Sequence, residues 1–345
     1  MAEVIPIRNI YFLLCYAWDR LAEGNLVDVS ALDSTELADL FGAVLLNGTH
    51  HVIRRGLDQG YQAFEGELAS IRGRVDVAAS ARKMLLVHGR ACCVYDELNV
   101  NTLPNRILKA TLRHLTHIPT LDDSLRKKLR VLTRSLGDIE DIHLTKLSFR
   151  QIQLNGNKRF YRFLLNVCEL VQGACLVDEA TGTYRFRDFL RDERQMARLF
   201  ENFIYNFYRI ERPKMTATRE RIYWTALSEE DPELQLLPTM LTDVVLRDKQ
   251  RTIVIDAKYY KETLQTHYDK ETVRSLHLYQ LFAYLKNLEP RGGVDAQAEG
   301  ILLYPVVDQN IRLSYQIPGH MVRIRTVDLS RPWQEIHNDL LQIVG

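Results

Sequence analysis

Cysteine is scarce in the 345 residues: the five, at positions 15, 92, 93, 168 and 175, form no Cys-x-x-Cys pair and no cysteine/histidine cluster at zinc spacing. A structural zinc site is not expected, and a reducing cytoplasm is the expected compartment. None of the 17 glycines is followed by lysine, so the phosphate loop G-x-x-x-x-G-K-[ST] cannot be present. Nucleotide hydrolysis of the phosphate-loop kind is therefore not expected of this chain alone. His50-His51 lies in no H-E-x-x-H motif, G-x-S-x-G is missing, and Cys92-Cys93 has no histidine at nucleophile spacing, so these positions are read as structural. Long apolar runs are also missing. The stretch 10–18 is followed at once by Asp19 and Arg20 and falls short of the roughly 20 residues that span a bilayer. No small-residue cleavage signal follows it, and neither a membrane span nor a secretory leader is expected. Excess charge is lacking too: 45 Lys and Arg against 44 Asp and Glu leave a net charge of +1, so any nucleic-acid contact has to come from local patches.

What is present is a folded chain, 46% hydrophobic and 26% charged, long enough for at least two domains. Pro6 opens a segment in which Ile7, Ile10, Tyr11, Leu14, Cys15 and Trp18 recur at helical spacing, with Phe12, Leu13 and Tyr16 on the other side. A helix apolar on most faces is read as buried in its own domain, with a partner-facing role as the alternative. A second helix is predicted from Asp33 to about Gly56. Residues 61–95 change to short β-like runs punctuated by Gly66, Gly73 and Gly89, the pattern of a small sheet or projecting hairpin module. Helices return at 103–115, 123–136 and 158–176. Between Arg106 and Arg134 lie eight Lys and Arg, a locally basic helical surface for which a solvated face is the simpler reading.

The second half is predicted as a helix over 189–209, strands near 221–227, 240–247 and 252–259, a helix over 273–288, and a strand at 300–304. A turn around 181–184 marks the boundary, which divides the chain into regions 1–181 and 182–345. The informative segment is Leu-Thr-Asp243, followed after a polar turn by Ile-Val-Ile-Asp256-Ala-Lys258. Strand alternation sends Asp256 and Lys258 to one face and Ile253, Ile255 and Ala257 to the other, while Asp243 can sit across the hairpin from Asp256. Two carboxylates suit a hard divalent cation such as Mg²⁺, and a neighbouring lysine can orient an attacking water; together they fit phosphodiester hydrolysis. An isolated D-x-K triplet would more simply be an exposed ion pair. The order of elements changes that judgement.

A helix carrying Glu201, a hairpin carrying Asp243, Asp256 and Lys258, and a helix carrying Gln280 and Tyr284 four residues apart together resemble the PD-(D/E)xK nuclease superfamily. The proline of that motif is displaced to Pro238. Arg185, Arg187, Arg191, Arg194 and Arg198, just before Glu201, are candidate DNA-phosphate contacts, with a solvated face as the alternative reading. Beyond the nuclease triad the whole chain resembles the McrC family. The resemblance rests on Ile5-Pro-Ile-Arg-Asn-Ile-Tyr, Arg72-Gly-Arg-Val, Asp96-Glu-Leu-Asn-Val-Asn-Thr-Leu-Pro-Asn-Arg, Arg159-Phe-Tyr-Arg-Phe and Ile255-Asp-Ala-Lys-Tyr-Tyr-Lys. It implies a mixed α/β protein, cytoplasmic, with an amino-terminal helical half that docks on and activates a motor and a carboxy-terminal restriction-endonuclease-like domain. The implied partner is an McrB-like hexameric AAA+ GTPase, which itself holds the GTP. The implied substrate is double-stranded DNA containing methylcytosine, cut with Mg²⁺ held by Asp243 and Asp256 and supported by Lys258, Glu201, Gln280 and Tyr284. The rival reading is a GTPase-activating accessory subunit whose nuclease fold is inactive. On this division a fragment of residues 182–345 is expected to fold by itself.

Overall fold

The computed structural model describes residues 5–24, 36–154, 158–177, 184–186, 192–259, 264–267, 270–306 and 310–345. Two units emerge: Phe41–Phe186, and Met1–Leu40 together with Arg187–Gly345. The expected crossing near residue 181 lies close to the second of these limits. The first forty residues, however, belong with the carboxy-terminal unit rather than with the region that follows them.

The reason is the helix Ile7–Ala17. Ile10, Leu13, Leu14 and Tyr16 are almost fully buried, and Leu13 and Tyr16 join one core with Phe203, Phe207 and Ile336. Asn9 donates to the carbonyls of Leu329 and Arg331, both at 2.8 Å, and Tyr16 donates to Glu211 Oε1 at 2.7 Å. The apolar residues that made this helix unusual are spent inside its own unit.

The 41–186 unit is helical around a small sheet. The helix Leu37–Arg55 packs through glycine onto its neighbours: a Cβ at Gly48 would fall 2.3 Å from Leu164 Cδ2. The helices Leu103–Leu115 and Arg159–Ala174 carry the rest of the core through residues such as Ile107, Leu112, Phe163 and Val167. The sheet orders its strands as Gly60–Leu68, Ala91–Asn99, Arg74–Val75, all antiparallel, so the β module foreseen at 61–95 is present. The expected run of strand at 74–77 is cut short, since strand ends at Val75 and Val77–Arg82 is helical. Asp76 caps that helix by accepting from the Ala79 amide, which ends the strand there. Asn105, Tyr161 and Asp58 tie the base of the module: Tyr161 Oη accepts from the Asp58 amide and donates to Asn105 Oδ1, and Asn105 Nδ2 donates to the Asp58 carbonyl.

Gly73 sits at φ +68°, where an added Cβ would lie 2.4 Å from the Val94 carbonyl oxygen. Backbone cannot step aside as a side chain does, so Gly73→Ala is expected to cost about 2–3 kcal/mol. A lower melting temperature, with faster amide exchange along 91–99, is the measurement; an unchanged melt would mean that the turn relaxes freely.

In the other unit a six-stranded sheet runs in the order Arg312–Ile317, His320–Val327, Glu299–Pro305, Thr252–Ala257, Val244–Arg247, Thr216–Thr218. Glu299–Pro305 pairs parallel with both of its neighbours, and the other three pairings are antiparallel. Alternation along the strands builds a core on each face. Val244, Leu246, Ile253, Ile255 and Ala257 meet the helices Glu193–Glu211, Trp333–Ile343 and Ile7–Ala17; Val245, Val254, Leu302 and Ile324 meet the helix Ser275–Leu288.

At the Arg247 end of this sheet Glu220 accepts from Arg247 Nη1 at 2.6 Å and from Arg291 Nη1 at 2.8 Å. Burial alone would raise its carboxyl, but these hydrogen bonds outweigh that and hold it at about 2. A carboxyl depressed on folding adds stability that is complete above its unfolded value near 4.5 and is lost as pH falls towards 2. The expected contribution is about 2 kcal/mol after allowance for solvent screening. Glu220→Gln should therefore lower the unfolding free energy at pH 7 and leave it nearly unchanged at pH 2.5; an equal loss at both would show that packing, not charge, is at work.

Candidate active site

Strands Val244–Arg247 and Thr252–Ala257 pair antiparallel with Val244 opposite Ile255, so Asp243 and Asp256 follow next at the end of the ladder. Asp243 accepts from the Ala257 amide through Oδ2 at 2.9 Å, which locks the carboxylate across the hairpin. Asp256 is fully buried, on the strand face opposite Ile255 and Ala257. Lys258, one alternation further on, brings Nζ to 3.1 Å from Asp256 Oδ1. Its own backbone amide is held by the Leu303 carbonyl at 2.9 Å, continuing the parallel pairing past the strand end.

This pair sits in a poor place for charge. Burial raises the Asp256 carboxyl well above the carboxylate range, Lys258 opposes the shift, and Asp243 adds to it. Asp243 is also raised, by burial, against the pull of Lys258 and of the Ala257 amide. For Lys258 burial works against the ammonium form, yet Asp256 and Asp243 together push it upward. Neither Asp256 oxygen has a hydrogen-bond partner among the described residues; Oδ1 has the ion-pair contact with Lys258 and nothing else. An orphaned buried carboxylate is costly, by some 1–3 kcal/mol or more, unless something completes it. No cluster of three or more His, Cys, Asp or Glu in ligand arrangement occurs among the described residues. Two carboxylates and one orphaned oxygen pair fit a hard divalent cation that keeps several waters, not an all-protein cage.

Glu201 comes from the helix on the opposite face. It is half-buried, and burial, then Asp243, raises its carboxyl while Lys258 and Arg219 pull it down, so its charge belongs to the same group. Gln280 and Tyr284 share one face of the helix Ser275–Leu288. Gln280 Nε2 donates to Tyr284 Oη at 2.6 Å, and Tyr284 Oη donates to the Leu241 carbonyl at 2.9 Å. In the structure this pair anchors the chain two residues before Asp243. Pro238 has a similar structural place, its carbonyl accepting from Trp224 Nε1 at 2.7 Å.

Of the five arginines, Arg194 and Arg198 have described side chains. Arg194 and Arg198 are exposed on the helix Glu193–Glu211, which starts later than expected because Asp192 caps it. Arg198 is near enough for its charge to act on Glu201. Arg185 lies on the short strand Tyr184–Phe186, and Arg187 and Arg191 lie outside the described residues.

One residue was missed. Arg219 donates through Nε to the Asp243 carbonyl at 3.2 Å and through Nη2 to Asn202 Oδ1 at 2.7 Å, and it lies 4.6 Å over the Tyr205 ring. It clamps the Glu201 helix to the Asp243 strand. No local motif marks it, because its partners are far away in sequence.

A family model described as McrBC 5-methylcytosine restriction system component matches residues 8–305. Over 340 residues the chain is 37% identical to the type IV methyl-directed restriction enzyme EcoKMcrBC of Escherichia coli (strain K12), covering 99% of this chain and 97% of that protein. Among solved structures it is similar to a refined half-complex from a tetradecameric assembly of Thermococcus gammatolerans McrB AAA+ hexamers with bound McrC. The TM-score there is 0.63 at 18% identity, over 98% of this chain and 76% of the other, which shows a shared fold. With the family model spanning most of the chain and the bacterial relative matched almost end to end, this chain belongs to the McrC family of the McrBC 5-methylcytosine restriction system.

Proposed function

We propose that the chain is the metal-dependent endonuclease subunit of its restriction complex, binding and stimulating a hexameric AAA+ GTPase and cutting methylcytosine-containing DNA after GTP-driven translocation. The observation that carries the nuclease reading is Asp256, a fully buried carboxylate without a hydrogen-bond partner, set beside Asp243 and Lys258. Stability alone gives no reason to keep such a group.

Asp243 and Asp256 would hold Mg²⁺, which when bound supplies Lewis-acid stabilisation of a phosphodiester oxygen and a more acidic water. Lys258 orients the attacking water and keeps a positive charge where negative charge develops. Glu201 supports that water from the opposite helix. Gln280, Tyr284 and Arg219 act as positioning residues, because they hold the chain on both sides of Asp243 rather than the reacting atoms. Arg194 and Arg198, with Arg185, Arg187 and Arg191, are assigned to DNA phosphate.

The motor-docking role goes to the β module of the 41–186 unit. Its turn exposes Met84, Leu86 and Val87 to 67%, 58% and 77%, apolar surface that a partner would cover. The solved relative, in which McrC is bound to McrB hexamers, supports this partner class.

The test is cleavage of methylated and unmethylated DNA with the cognate motor, GTP and Mg²⁺, each omitted in turn. Cutting is expected when motor, GTP, Mg²⁺ and methylation are all present. Equal cutting without the motor would make the chain a stand-alone nuclease, and none under any condition, with GTPase stimulation intact, would favour the inactive accessory reading.

A further inference from the structure

We propose that the helical part of the 41–186 unit carries a second phosphate-binding site, a cleft that takes the sugar-phosphate backbone of DNA and shares no residue with the candidate active site. The cleft is a cavity of about 460 Å³ between the helices Leu103–Leu115 and Asp123–Ser135. Lys109 and Arg113 line it from the first helix and Arg130 and Arg134 from the second, with Asp141 the one acid on its wall. Each pair is spaced four residues apart, which stacks its charges on one helical face about 6 Å from one another along the axis. Two cationic rows thus face one cleft in a chain whose net charge is only +1.

The two rows are not equivalent. Lys109 is 8% exposed, donates to the Ile139 carbonyl at 2.5 Å and lies 3.6 Å from Asp141, which Arg113 also approaches at 3.4 Å. The first row is therefore partly neutralised and fixed in place. Arg130 and Arg134 have no ion-pair or hydrogen-bond partner among the described residues.

Cations near the carboxy-terminal ends of helices ordinarily serve the carbonyls left free there. Arg126, in the first turn of Asp123–Ser135, likewise serves free carbonyls, its Nη2 donating to those of Ile118, Pro119 and Leu121 in the segment that joins the two helices. Arg130 and Arg134 bond no carbonyl, so self-capping does not account for them. Their like charges, next to Arg113 and Lys109, repel one another until an anion enters. No large apolar side chain lines the cavity, which disfavours a nucleobase or small organic ligand and favours the phosphodiester backbone.

The experiment measures binding of the full chain to a short fluorescent unmethylated duplex, without divalent cation so that cleavage cannot intervene, over a range of salt. Arg130→Gln with Arg134→Gln is expected to weaken binding about tenfold or more near 0.1 M salt and to reduce the salt slope by about 1.8, the share of two phosphate contacts. Arg130→Lys with Arg134→Lys is expected to keep most of that slope, and both double variants should melt as the native chain does. An unchanged slope in the glutamine variant, or no DNA binding by the native chain at low salt, would overturn the proposal. So would GTP or inorganic phosphate binding that depends on these arginines while the DNA slope does not. Because the readout is binding without metal, it stands or falls apart from the nuclease assignment.

Discussion

Asp256→Asn is expected to lower methyl-directed DNA cleavage by about 10³-fold or more while leaving the chain at least as stable as before. The two effects have one source. With burial raising the carboxyl and neither oxygen hydrogen-bonded, the native site keeps a charge that the fold alone would reject. The amide preserves the shape, removes the charge and is expected to gain about 1–2 kcal/mol when no metal is present. It also removes an anionic ligand and the partner of Lys258, so transition-state stabilisation is lost. The measurements are cleavage with the cognate motor, thermal unfolding in chelator, and GTPase stimulation as the control for assembly. Cleavage within tenfold of native would remove Asp256 from the chemistry; loss of GTPase stimulation in a folded variant would remove the separation between cutting and docking.

Lys258→Ala separates charge from shape in the other direction. It should abolish cleavage equally but destabilise the fold, since Asp243 and Asp256 are left facing each other without their cation. Both carboxyls titrate above their unfolded values, so folding takes up protons and the variant regains stability as pH falls. A destabilisation that grew towards acid pH would contradict this account of the pair.

The site was legible in the sequence wherever its parts are local. A strand's alternation is enough to separate Asp256 and Lys258 from Ile253, Ile255 and Ala257, and a spacing of four is enough to align Gln280 with Tyr284. Whether Gln280 touches water or phosphate, or instead Tyr284, is decided by a carbonyl at Leu241 that no spacing encodes. Arg219 was invisible for the same reason. The sheet's far strands were unread although both alternate: Leu313, Tyr315 and Ile317 take every second place in Arg312–Ile317, which is nonetheless exposed along nearly its whole length, and Val322 and Ile324 do so in Val322-Arg-Ile-Arg-Thr-Val. The largest error concerned the first helix. Its hydrophobicity announced burial, but nothing along the chain states that the surface burying it begins nearly two hundred residues later.

That error reverses the expectation for the carboxy-terminal fragment. Residues 182–345 alone are now expected to be insoluble or to lack a cooperative melt, whereas the same fragment joined to residues 1–40 through a flexible linker is expected to fold. Without the helix Ile7–Ala17, Phe203, Phe207 and Trp333 lose the Tyr16 ring, whose centroid lies 5.8, 5.4 and 5.5 Å from theirs, and Trp333 loses Phe12, stacked at 4.8 Å. Asn206 loses its acceptor at the Ala17 carbonyl and Glu211 the Tyr16 hydroxyl. Ile10, Leu13, Leu14 and Tyr16 are each about 98% buried or more, and at roughly 1.5–3 kcal/mol apiece their removal takes away about 6–12 kcal/mol. That is comparable with the whole stability of a typical domain, roughly 5–15 kcal/mol. Circular dichroism melts and sedimentation of the two fragments decide the matter, and melting temperatures within about 5 °C of each other would show the helix to be dispensable. The joined fragment then serves a second purpose. It keeps the candidate active site and lacks residues 41–181, so it is expected to leave the motor's GTPase rate at its basal value. Stimulation equal to that of the full chain would move the activating surface into the nuclease unit and away from the β module with its exposed Met84, Leu86 and Val87.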